Sequence, residues 1–266
     1  MKSVTIENHE WKYVDQGTGH VILFVHGFPL DHSMWQGQLE ELAGDFRVIA
    51  PDLAGFGKSD KVEGTLGMAQ LADGLAALLD ACKLDAPVAF CGLSMGGYVG
   101  WQMWQRHAGR LSHLIQCDTR AIADAPEVAR GRQMMAANLV QGNLSVAEVA
   151  EGLTPRLFAD STMKRDPSVV QGTKDVIRNC PPETVAAAQL GMAGREDFSD
   201  RLASIETPCL VVCGEHDVIS PAEEMKGIAA SMPNAEYVEI AGVGHMAPLE
   251  DPATFNRHLR EFFTNH

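Results

Sequence analysis

Positive charge is what this sequence is short of. Lys and Arg number 21 against 35 Asp and Glu, a formal net charge of −14 over 266 residues. A surface that negative repels phosphate backbones and anionic lipid headgroups, so neither nucleic acid nor a membrane surface is an expected partner. Long apolar runs are missing too. Segments such as Val21-Ile22-Leu23-Phe24-Val25 are far too short to span a bilayer and read as buried strands. No apolar signal segment follows Lys2, so export by that route is not expected and a cytoplasmic location is. The six cysteines form no CxxC pair. Cys91, Cys117, Cys209 and Cys213 lie in or beside strand-like runs and are expected as buried, reduced thiols. Clustered Cys/His spacing for zinc, a GxxxxGK[ST] loop, internal repeats and low-complexity tracts are all absent. No metal or cofactor is therefore expected.

What is present is the composition of a folded domain, 45% hydrophobic and 21% charged. The first twenty residues alternate and turn at Gly17-Thr18-Gly19, which suggests a β-hairpin. Strand and helix patterns then alternate. Strands are expected at Val21–Val25, Phe46–Ala50, Val88–Cys91 and Leu111–Cys117, and helices at Ser33–Leu42, Met68–Cys82 and Gly96–Arg106. Strands that are apolar on both faces and separated by helices indicate a parallel sheet covered on both sides. In such sheets the ligand cleft lies at the carboxyl ends of the strands. The loops starting at His26, Pro51, Gly92 and Asp118 should therefore face one cleft.

The alternation breaks after Asp118. Residues of roughly 121–195 read as helices only. Ser145-Val146-Ala147-Glu148 has the capping-box pattern, and Asp166-Pro167 and Pro181-Pro182 read as helix starts. Strand and helix resume with Cys209–Cys213, Pro221–Met232, Ala235–Ile240 and Asp251–Phe263. The expected fold class is α/β: a mostly parallel central sheet with helices on both faces. Its core domain is discontinuous, 1–120 plus 196–266, around a helical lid at 121–195.

Gly92-Leu93-Ser94-Met95-Gly96 matches GxSxG between an expected strand and an expected helix. Such a tight, strained turn pushes the Ser94 hydroxyl toward the cleft, and small flanking residues avoid clashes within it. A serine hydroxyl is a poor nucleophile at neutral pH and needs a base. Of the ten histidines, His245 lies in a flexible loop just after the strand ending near Ile240. The others, His26 apart, fit surface, helix or terminal positions. His26 ends the first long strand and is read as a loop-building residue. The base in turn needs an acceptor that fixes its tautomer. Asp217 follows the Leu210–Gly214 run and so lies at a strand's carboxyl end, with Asp118 as the alternative acid. An oxyanion would need backbone donors, expected from the N–H groups of Met95 and Phe28, since Pro29 has none. Phe28, Met134, Met135, Phe158 and Met192 are the expected substrate-contacting side chains.

The segments HGFPLDHSMW, PDLAGFGKSD, CGLSMGGY, GEHDVISP and GVGHMAPLEDP resemble the α/β-hydrolase superfamily over nearly the whole chain. The order Ser94, Asp217, His245 is the one such enzymes use. Within the superfamily the sequence is similar to bacterial serine esterases and to the 3-oxoadipate enol-lactonase branch, which Cys117-Asp118-Thr119-Arg120 also resembles. The HGFP loop is similar to those of arylesterases and cofactor-free perhydrolases. Haloalkane dehalogenases and epoxide hydrolases of this fold carry Asp as nucleophile, and Ser94 argues against both chemistries. The resemblance implies a carboxylesterase-type hydrolase of small esters through an acyl-Ser94 intermediate. Lactone hydrolysis on the same machinery is the near alternative, and a ligand receptor without turnover the distant one.

Overall fold

The computed structural model describes residues 1–61 and 63–266. Eight strands form one sheet: β1 (Lys2–Ile6), β2 (His9–Gln16), β3 (Val21–Val25), β4 (Arg47–Pro51), β5 (Val88–Leu93), β6 (Leu111–Cys117), β7 (Cys209–Gly214) and β8 (Ala235–Ile240). Their spatial order is β1-β2-β4-β3-β5-β6-β7-β8. β1 and β2, and β2 and β4, pair antiparallel; from β4 to β8 every pairing is parallel. Every residue of β3, β5 and β7 is buried, which requires cover on both faces. This is the α/β-hydrolase fold.

The cover comes from α1 (Gln36–Leu42), α2 (Met68–Ala81), α3 (Met95–His107), α9 (Ala222–Ala230) and α11 (Pro252–Asn265). A one-turn helix, α10 (Ala247–Glu250), precedes α11. Between β6 and β7 lie five more: α4 (Pro126–Gln141), α5 (Val146–Leu157), α6 (Asp160–Arg165), α7 (Pro167–Asn179) and α8 (Pro182–Ala193). Among the described residues no helix is long and apolar enough to cross a membrane. All six cysteines are free, and five are buried.

The sheet reverses direction at β3. Its partner on one side, β4, is followed by strands running toward β1, and its partner on the other, β5, by those running toward β8. Loops leaving neighbouring carboxyl ends there diverge and open a crevice. The N-terminal hairpin differs from the sequence expectation. Its turn is Glu7-Asn8, both with positive φ (49° and 70°), whereas Gly17–Gly19 leads β2 away to β3.

Candidate active site

β5 ends at Leu93 and α3 begins at Met95, so Ser94 alone makes the turn. Its backbone sits at φ 54°, ψ −111°, a region that costs a non-glycine residue ~1–3 kcal/mol. Neighbouring elements hold it there. The Ser94 N–H donates to the Cys117 carbonyl (2.9 Å), and Thr119 Oγ1 donates to the Ser94 carbonyl (2.7 Å). The glycines around it are required by contact. A Cβ on Gly92 would lie 2.4 Å from the Gly96 carbonyl oxygen, and one on Gly96 would lie 2.3 Å from that of Val25.

His245 is buried, in the loop between β8 and α10, and its Nδ1–H donates to Asp217 Oδ2 at 2.8 Å. Asp217 Oδ1 accepts the N–H groups of Ile219 (2.7 Å) and Ser220 (3.0 Å). Burial alone would raise the Asp217 pKa. The facing His245 ring and the two N–H groups outweigh it and hold the carboxyl below its usual range.

Asp118 is brought to the same place but differs in chemistry. It is fully buried, with one oxygen accepting the Gly214 N–H (2.8 Å) and the other left without a partner. Its carboxyl, that of Asp217 and the His245 ring offer atoms within 4.8 Å of one another. Burial and the Asp217 charge push the Asp118 pKa well above the carboxylate range, which favours its protonated form.

Ser94 and His245 open into one cavity of about 430 Å³. Phe28, Met135 and Met192 line it. Met134 and Phe158 do not: Met134 is 66% exposed on the outer side of α4, and Phe158 is buried elsewhere. Tyr98, Leu153, Leu157, Gln189 and Ile219 complete the wall and were not expected as contacts. Tyr98 had a signal, being one helical turn beyond Ser94. Three arginines also face the cavity. Arg120 is paired with Glu224 (2.7 Å) and Arg132 with Asp124 (2.6 Å), while Arg156 carries no ion pair among the described residues.

The loop after β3 packs on the serine turn, since a Cβ on Gly27 would lie 3.5 Å from that of Ser94. His26 builds this loop. Its Nε2 accepts the Leu53 N–H (3.1 Å) and its Nδ1–H donates to the Gly27 carbonyl (2.9 Å), and burial lowers the pKa of the ring. Among the described residues the N–H groups of Phe28 and Met95 have no protein acceptor.

A family model described as the alpha/beta hydrolase family matches residues 22–258. The chain belongs to that family. It is a hydrolase of the α/β type, similar to proteins named as esterases and enol-lactonases. A thermophilic esterase from Thermogutta terrifontis superposes with a TM-score of 0.96 at 40% identity, covering 100% of this chain and 99% of that one. The enol-lactonase from Burkholderia xenovorans superposes with a TM-score of 0.90 at 28% identity, covering 99% and 100%. The 3-oxoadipate enol-lactonase 1 of Acinetobacter baylyi is 26% identical over 88% of this chain and 85% of its own.

Proposed function

We propose that this hydrolase cleaves small carboxylic esters through an acyl-Ser94 intermediate, with His245 as base and Asp217 as the group that orients it. The observation that carries the reading is a serine on a strained turn sharing one cavity with a histidine held by a buried carboxylate. Ser94 Oγ attacks the ester carbonyl carbon and passes its proton to His245 Nε2. The carbonyl oxygen becomes an oxyanion, held by the N–H groups of Phe28 and Met95. His245 then protonates the departing alkoxide as the C–O bond breaks. Water, deprotonated by the same ring, attacks the acyl-serine and releases the acid and free Ser94. Residues 121–195 act as a lid over this chemistry, on a core of 1–120 and 196–266.

A second reading, lactone hydrolysis, uses the same steps. Arg156, at the cavity wall and without an ion pair among the described residues, supports it where the lactone carries a carboxylate, as do the enol-lactonases among the similar proteins. Faster turnover of a carboxylate-bearing lactone than of neutral esters would favour it.

The test of the acyl-serine is covalent. A serine-directed organophosphate is expected to add one group, mapped to Ser94 by mass spectrometry. Ser94→Ala is expected to lower kcat by about 10⁶, the scale of removing a serine nucleophile. Labelling at another residue, or near-normal turnover by Ser94→Ala, would overturn the assignment.

A further inference from the structure

Glu250, the last residue of α10, is buried, and among the described residues no cationic side chain forms an ion pair with its carboxyl. Arg165 reaches only its backbone carbonyl (3.0 Å). The charge is met instead by three backbone N–H groups from two parts of the chain. Oε1 accepts from Gly244 (2.8 Å) and Met246 (3.3 Å), the residues on either side of His245. Oε2 accepts from Ala159 (3.0 Å), in the link between α5 and α6. The two segments are also stitched directly. Met246 N–H donates to the Leu157 carbonyl (3.1 Å), and Ser161 Oγ donates to the Gly242 carbonyl (2.7 Å). The contact is tight enough to require glycine at 244, where a Cβ would lie 2.7 Å from the Ala159 nitrogen.

We propose that Glu250 is a positioning residue: it fixes the backbone on both sides of His245 and ties that backbone to the α5–α6 link, so the base is in register only when the lid is docked. The inference rests on His245 being the base. Asp217 holds the ring at Nδ1, and the Val243 carbonyl, accepting the His216 N–H (2.9 Å), holds the backbone two residues before it. Glu250 adds the bonds at the two residues adjoining His245, where a buried acceptor has no water to exchange them for.

Glu250→Gln keeps the size of the side chain and replaces one acceptor oxygen with an NH₂ group. Whichever way the amide turns, an N–H then faces another N–H, at Ala159 or at the His245 loop. The variant is expected to lower kcat by about 10²-fold, the cost of displacing a catalytic group by ~1 Å, with KM nearly unchanged. A merely structural Glu250 would lower the melting temperature and leave kcat of the folded variant within about twofold of wild type, and that result would overturn the proposal. Amide exchange in the unmodified protein gives a readout independent of turnover. The Gly244, Met246 and Ala159 amides are expected to open together, with matching protection. An Ala159 amide exchanging about tenfold faster than the other two would break the coupling, whether or not His245 is the base.

Discussion

Two carboxylates stand at the ends of neighbouring strands, and their partners give them opposite states. Asp217 faces an imidazole and two N–H donors, so it stays ionised. Asp118, fully buried, faces that group and a single N–H, and both its burial and the neighbouring charge raise its pKa. Asp217 is the carboxyl that accepts the His245 Nδ1–H, so on the proposed mechanism the two residues should respond differently to the same substitution. Asp217→Asn is expected to lower kcat by roughly 10⁴, the scale of a wrong tautomer in a triad. Asp118→Asn keeps the size of the side chain and leaves the Asp217–His245 bond in place, so it is expected to stay within about tenfold of wild type. Steady-state kinetics on one aryl ester compares them, and the reverse ranking would move the orienting role to Asp118. Ser94, Asp217 and His245 were legible in the sequence because each is placed by a strand end and a short turn beside it. The cavity wall was less so. Met134 and Met135 are adjacent in sequence, and only the docked rotation of α4 puts one in the cavity and the other in solvent.

Elements were legible where a local chemical signal marks their ends. Ser145 caps α5 with the reciprocal Glu148 bonds, and Pro167 and Pro182 open α7 and α8 as the sequence indicates. The hairpin turn was not legible, because a glycine cue at Gly17 masks the real turn at Glu7-Asn8. Gly17 serves a contact instead, since a Cβ there would lie 2.1 Å from the Phe46 carbonyl oxygen. α10, at four residues, is too short to show a period. One connection between elements is electrostatic. Asp52, after β4, accepts both the ring and the backbone N–H of His32, on the loop that follows β3 (2.6 and 2.9 Å). Burial opposes both charges. The pairing outweighs it, raising the His32 pKa and, with the N–H of Lys58, lowering that of Asp52. A raised histidine stabilises the fold fully below its unfolded value of ~6.5, and that contribution is lost as pH rises through the higher folded value. A lowered carboxyl contributes above its ordinary value and loses it as pH falls. His32→Gln should therefore cost more stability near about pH 5.5 than near about pH 9, on either side of the histidine range. Thermal melts of both proteins at the two pH values measure this, and an equal cost at both would exclude a charged His32.

At the scale of the whole molecule, a lid at residues 121–195, as proposed, would decide what reaches the serine. The cavity of about 430 Å³ is bounded by α4, α5 and α8 on one side and by the Ser94 and His245 loops on the other. That is the low end of the ~300–1,000 Å³ found for small-molecule pockets. Its wall mixes Met135, Leu153, Leu157 and Met192 with three arginines, so it offers an apolar patch rather than a continuous apolar channel. α8 is held to the segment after β4 by specific bonds, among them Leu66 N–H to the Ala187 carbonyl (3.1 Å) and Thr184 Oγ1 to the Gly55 carbonyl (3.0 Å). Swinging α8 away from that segment would break these. An acyl chain should therefore gain ~0.8 kcal/mol for each methylene that the patch covers and lose by overpacking beyond it. Across p-nitrophenyl esters from acetate to palmitate, kcat/KM is expected to peak at short chains and fall thereafter. The rise before the peak should not exceed about fourfold per methylene, which is the same 0.8 kcal/mol expressed as a ratio. A steady climb to palmitate would mean that residues 121–195 swing clear of the serine, and the cavity of about 430 Å³ would then not be the chamber in which the ester is cleaved.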